Sequence, residues 1–159
     1  MNYFELFDIP VSLQVDRSLL AKKYFDLQKK YHPDFYSNAS EEEQQEVLEK
    51  SSDINKALKI FRDSDATIKY VLQLKGLLEE EEKYQLPPEF LMEVMELNEN
   101  LSENSAEEVA DFEKAIYTGV KDIIEQYDDN AITEEALLKV KDYYFRKKYL
   151  HRILERMGD

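Results

Sequence analysis

Apolar residues recur at steps of three and four along much of this 159-residue chain, the spacing that lines one face of an α-helix. Leu20, Tyr24, Leu27 and Tyr31 form one such stripe over residues 18–31. Val47, Ile54, Leu58 and Phe61 form another, behind the capping box Ser40-Glu41-Glu42-Glu43. A helix over residues 66–75 carries Ile68, Val71, Leu72 and Leu74 and is expected to stop at Gly76. Glu79-Glu80-Glu81-Glu82 and Pro87-Pro88 then interrupt the periodicity, and Pro88 suits the first position of a new helix because its missing amide hydrogen would be unpaired there anyway.

Three helical patterns follow. The first covers residues 88–100. The second begins at the capping box Ser105-Ala106-Glu107-Glu108 and carries Val109, Phe112, Ile116, Val120, Ile123 and Tyr127. The third starts near Thr133, after the turn-like Asp128-Asp129-Asn130, with a seam of Ala136, Val140, Tyr143, Leu150, Leu154 and Met157. Short loops between amphipathic helices predict an antiparallel three-helix bundle. The fold expected is therefore all-α: a helical first half over residues 1–76, a connector over 77–87 and a bundle over 88–159.

Composition supports helices and removes several functions. Three glycines and four prolines fit long helices better than strands and turns. A formal charge of -14 leaves no basic surplus for phosphates, so no nucleic-acid partner is expected. The charge is uneven: residues 1–76 hold 11 Lys/Arg against 13 Asp/Glu, whereas residues 77–159 hold 10 against 22. The second half either faces a differently charged partner or is a solvated acidic surface. Without cysteine the chain has no disulfides and no thiolates for zinc or an iron-sulfur cluster. The start lacks a basic leader and no apolar run is long enough for a bilayer, so no membrane association and a cytoplasmic location are expected.

The densest short motif is His32-Pro33-Asp34. Pro33 disfavours helical dihedrals at His32 and donates no hydrogen bond, so the helix over 18–31 ends there and the imidazole and carboxylate stand on an exposed turn. Lys22, Lys23, Lys29 and Lys30 share an arc of about 120° well away from the apolar stripe. Chance alone would produce the tripeptide in roughly one chain in a hundred of this length. Its setting, with an amphipathic helix before it, lysines beside it and a capped helix after it, favours docking over a simple helix stop.

This arrangement resembles the J-domain of DnaJ-like co-chaperones. Asn2-Tyr3-Phe4-Glu5-Leu6-Phe7 resembles its short first helix, residues 20–31 its second, His32-Pro33-Asp34 its signature loop, and Ile54-Asn55-Lys56-Ala57-Leu58 its third. The resemblance implies that His32, Pro33 and Asp34 trigger ATP hydrolysis on an HscA/DnaK-class chaperone ATPase, with Lys22, Lys23, Lys29 and Lys30 as the electrostatic contact. Many J-domains continue with a basic residue, where this chain has Phe35 and Tyr36.

The helix over 88–100 has more apolar residues than one buried face needs. Phe90, Val94, Leu97 and Leu101 make the stripe. Leu91, Met92 and Met95 cluster on a face centred about 120° to 150° away, which Glu96, Glu99 and Glu103 share. Such a patch either binds protein, a role methionine adapts to, or packs on the first half or the connector. Phe145 falls opposite the seam of the last helix, exposed unless a partner or the helix over 88–100 covers it. Arg146-Lys147-Lys148 reads as a solvated basic face and His151 as structural or solvent-facing.

Taken together, the J-like start, the acidic bundle and the string Phe90-Leu91-Met92-Glu93-Val94-Met95-Glu96-Leu97 resemble the HscB family of iron-sulfur co-chaperones. The resemblance implies that an IscU-type iron-sulfur scaffold protein contacts Leu91, Met92, Met95, Glu96, Glu99, Glu103 and Phe145. The alternative is a general J-protein presenting unfolded clients to a DnaK-class chaperone. No enzyme is expected and no cofactor or metal: the histidines are His32 and His151 alone, and no Glu-x-x-His helix motif offers di-iron ligands.

Overall fold

Asn2, Asp16, Ser40 and Thr133 each place a side-chain oxygen 2.7 to 3.3 Å from amides that the first turn of a helix leaves unpaired. The computed structural model describes residues 1–99 and 105–157, and among them every regular element is helical. These are α1 (Tyr3–Phe7), α2 (Arg17–Tyr31), α3 (Glu41–Phe61), α4 (Ser64–Leu74), α5 (Pro88–Glu99), α6 (Ser105–Thr118), α7 (Lys121–Glu125) and α8 (Glu134–Met157), with a 3₁₀ turn at Pro33–Tyr36. Asn100, Leu101 and Glu103, and the side chains of Ser105 and Met157, lie outside the described residues. The chain divides by its contacts into two compact units, Met1–Val71 and Leu72–Asp159.

In the first unit α2 and α3 form a hairpin with α1 laid on both. Leu20, Val47, Ile54, Ala57 and Phe61 face inward, as their spacing requires. The rings of Phe4 and Phe7 pack on Phe61 at centroid distances of 4.7 and 5.6 Å. Asp8, at φ 54, closes α1 in the left-handed region. Tyr70 of α4 stacks on Tyr3 at 5.1 Å, and its hydroxyl accepts the Tyr3 amide at 2.8 Å. Asp63 accepts the Ala66 amide at 3.0 Å, and α4 starts at Ser64, two residues ahead of the expected start at 66.

Gly76 ends α4 as its position predicts. At φ 72 it adopts the left-handed conformation that lets the Leu77 amide reach back to the Leu72 carbonyl at 2.9 Å, a Schellman closure.

In the second unit α5, α6 and α8 form an up-down-up bundle. Phe90, Val94 and Leu150 are its buried centre, with Leu97, Phe112, Ile116, Ile153 and Leu154 packed around them. Glu113 pairs with His151 and Tyr117 packs on Tyr143, so α6 runs antiparallel to α8. One expectation needs correction: the stripe from Val109 to Tyr127 is two helices. At Thr118-Gly119 the ladder breaks, and the Val120 amide bonds to Tyr117 only three residues back, at 2.9 Å. Glycine is about 1 kcal/mol worse than alanine inside a helix, and Val120 and Ile124 on the far side of the break are both buried.

The connector is packed rather than loose. Leu78 is buried, Glu82 pairs with Lys141 at 2.7 Å with both side chains under one-fifth exposed, and Lys75 pairs with Asp129 at 2.7 Å. The Lys141 hydrogen bond holds the Glu82 carboxyl below its ordinary value, and the Lys75 hydrogen bond does the same for Asp129.

Two stability outcomes follow from this packing. Leu150→Ala, at a fully buried centre, is expected to cost about 2–5 kcal/mol, read as a lower urea midpoint by circular dichroism. Because both carboxyls are lowered in the folded state, the stability they add is complete above the ordinary carboxylate range and drains as pH falls through their folded-state values. Glu82→Gln should therefore cost about 1 kcal/mol at pH 7 and flatten the acid limb of a stability-pH curve. An unchanged acid limb would mean that the pair is not a source of acid sensitivity.

Candidate functional site

His32 ends α2 with φ -68 and ψ 128, the extended geometry that Pro33 imposes on its predecessor. Its Nδ1 accepts the Asp34 amide at 3.2 Å, so the ring acts as the cap of the 3₁₀ turn and leaves Nε2 as the donor. The Asp34 carboxylate lies 3.6 Å from Nδ1 and is almost wholly exposed. Two further bonds brace the turn. The Tyr36 hydroxyl donates to the Lys30 carbonyl at 2.6 Å, and Gln44 Nε2 donates to the Ser37 and Ala39 carbonyls at 3.2 and 3.1 Å. Tyr36 thus ties the turn to the end of α2, while Phe35 is exposed beside the His32 ring at 5.9 Å.

The four lysines are not equivalent. Lys22, Lys29 and Lys30 are exposed, whereas Lys23 is half-buried and pairs with the exposed Asp8 at 3.2 Å. Lys29 sits 4.6 Å over the ring of Phe25, which is 59% exposed. Sequence reasoning missed Phe25. The available signal was its i, i+4 spacing to Lys29 on the polar arc, away from the buried stripe.

On α5, Met92 and Met95 are 62% and 54% exposed, with Glu96 and Glu99 exposed beside them. Leu91 differs: it is half-buried and packs against the Phe90, Val94 and Leu150 centre. Its angular position lies nearest the bundle, so it borders the core and is only partly available to a partner. Glu103 lies outside the described residues.

Phe145 is also half-buried, and the connector covers it. Tyr84 stacks on the Phe145 ring at 4.6 Å with 7° between planes. The Tyr84 hydroxyl donates to Asp142 at 2.9 Å, and Asp142 also takes Arg146 Nε at 2.6 Å. Burial, then the hydrogen bond to Asp142, pushes the Tyr84 phenol up to about 12. Tyr84 was another residue that sequence reasoning missed, since no periodicity links it to a ring 61 positions later. Leu91 and Phe145 nevertheless line one groove together. Among the described residues no three His, Asp or Glu side chains gather to hold a metal ion, and no helix is long and apolar enough to cross a membrane.

The comparisons with known proteins bear on the chain as a whole. Residues 86–158 match the family model described as the HSCB C-terminal oligomerisation domain. A co-chaperone protein HscB homolog of Vibrio cholerae is 39% identical over 107 residues, which cover 67% of this chain but only 63% of the relative's length. The homolog from Vibrio campbellii is 33% identical over 96% of this chain and 95% of its own length. The human co-chaperone HscB crystal structure superposes with a TM-score of 0.78 at 28% identity, covering 99% of this chain and 81% of that one. The chaperone HscB structure from Vibrio cholerae covers 100% and 98%, with a TM-score of 0.65 at 29% identity. With its J-domain hairpin followed by a helical bundle, the chain belongs to the HscB family of co-chaperones.

Proposed function

We infer that this chain delivers an IscU-type iron-sulfur cluster scaffold to an HscA/DnaK-class chaperone and stimulates that chaperone's ATP hydrolysis, promoting cluster transfer. Its docking domain spans residues 1–76, a connector 77–87 and the scaffold-binding bundle 88–159. It performs no chemistry of its own and works in the cytoplasm, where both partners are met. The observation that carries this reading is the display of two exposed, chemically different surfaces on separate compact units: the His32 turn and the Met92 face.

His32, Pro33 and Asp34 engage the chaperone. The rigid turn offers a fixed imidazole donor and a solvated carboxylate, so little conformational freedom is lost on docking. Lys22, Lys29 and Lys30 steer an acidic partner surface, and Lys23 adds to that field from its place beside Asp8. On the bundle, Met92 and Met95 supply adaptable apolar contact rimmed by Glu96 and Glu99, with Leu91 and Phe145 at its inner edge, and Glu103 is proposed as a further scaffold contact. Joining the two interfaces on one chain raises the effective concentration of scaffold at the chaperone.

His32→Gln is expected to abolish stimulation of the chaperone ATPase in single-turnover assays while scaffold affinity by calorimetry stays within about twofold. The exposed positions Met92 and Met95 give the cleaner reverse test, because Leu91→Ala and Phe145→Ala also remove packing. Met92→Ala with Met95→Ala should weaken scaffold binding about 10- to 100-fold and leave scaffold-free ATPase stimulation unchanged. Loss of both activities from either change, in a protein that remains folded, would refute the division of labour. Equal binding of a denatured model client and of the scaffold would favour a general J-protein instead.

A further inference from the structure

Tyr84 belongs to a strap. Residues 82–86 lie along α8, held by the Glu82–Lys141 pair, by the Tyr84–Asp142 hydrogen bond and by the Tyr84–Phe145 stack. Between the strap, the start of α5 and α8 runs a groove of about 570 Å³. Its floor is apolar and aromatic: Leu86, Leu91, Phe145 and Tyr149. Its rim is cationic, with Lys83, Lys148 and Arg152 exposed at its edge.

These cations are not tied up in ion pairs. Among the described residues none of the three forms an ion pair; Lys148 lies 6.0 Å over the Tyr144 ring and Arg152 lies 5.4 Å over the Tyr149 ring. The single carboxylate lining the groove, Glu82, is already engaged by Lys141. This occurs within a stretch, residues 77–159, where acids outnumber bases 22 to 10. Three cations outside any ion pair, around an aromatic floor, therefore give the groove lining a basic excess within an acidic half. The occupant they complement is a carboxylate-bearing segment that also buries an apolar side chain.

We propose that this groove is the second half of the scaffold interface and takes an acidic, apolar-bearing segment of the scaffold protein. The proposal rests on the reading above, since Leu91 and Phe145 belong both to the inferred scaffold contacts and to the groove lining. It extends that reading by giving the surface a polarity. The groove opens beside Pro88 and Leu91 at the start of α5 and is basic; Glu96 and Glu99 toward the other end of α5 are acidic. A partner carrying the opposite order of charges seats in one direction only, because the reversed pose sets like charges against each other. Tyr84 acts as a positioning residue, holding the Phe145 ring as the groove wall.

The test is calorimetric and stopped-flow titration of the full chain with the purified cysteine-bearing iron-sulfur scaffold, at low and high salt. Lys148→Glu with Arg152→Glu, both exposed positions, should weaken binding at least tenfold, chiefly through slower association, and reduce its dependence on salt. Lys148→Gln with Arg152→Gln should give an intermediate loss. Tyr84→Ala should also weaken binding, and Tyr84→Phe, which keeps the stack and loses only the Asp142 bond, should restore most of it. If the glutamate pair binds within twofold of the parent while Met92→Ala with Met95→Ala still weakens binding, the groove proposal is overturned and the scaffold reading stands. If the unaltered chain does not bind the scaffold, both fall.

Discussion

A helix of three or four turns in a small domain can bury one stripe, and every other position is left to water or to a partner. That constraint organises both units. In α2 the stripe led by Leu20 packs on α3, so the lysines and Phe25 are turned outward and the chain must leave the helix beside them at Pro33. In α5 the stripe of Phe90 and Val94 goes into the bundle, so the surplus methionines are displayed among glutamates. Each display is a by-product of a core that is already satisfied. A partner can therefore use it without disturbing the fold.

Rigidity is what turns display into recognition. The His32 ring is capped on its own turn, and Tyr36 and Gln44 lash that turn to the ends of α2 and α3, so its donors and acceptors are set before any partner arrives. The bundle reaches the same result through its connector. Glu82, Tyr84 and Lys75 bind the segment ahead of α5 to α8 and to the loop before α8, and Tyr84 stacks on Phe145. Salt bridges that would be marginal at the surface count for more here, because Glu82 and Lys141 are both largely shielded from water.

Charge is segregated at two scales. Along the chain, a nearly neutral first half is followed by an acidic second half. Within the second unit, exposed Glu96 and Glu99 stand toward the end of α5, while the groove at its start, lined by Leu91, carries Lys83, Lys148 and Arg152. Long-range steering and short-range orientation can thus be set by different groups of the same unit.

Local chemistry in the chain was enough to determine the helices, their caps at Ser40 and Thr133, the stop at Gly76, the proline-bent His32 turn and the placement of Met92 and Met95 off the buried stripe of α5. Each depends on neighbours within a turn or two, and period and dihedral preference act at that range. Tertiary structure alone decided what lies over Phe145, how far Leu91 sinks beside the core, and that Lys23 is drawn to Asp8. It also decided that the stripe from Val109 to Tyr127 breaks at Gly119, which the apolar period, unbroken across that point, does not reveal. Those outcomes depend on the path of the chain through space. A contact such as Tyr84 on Phe145 joins residues that no helical repeat relates, and only packing brings them together.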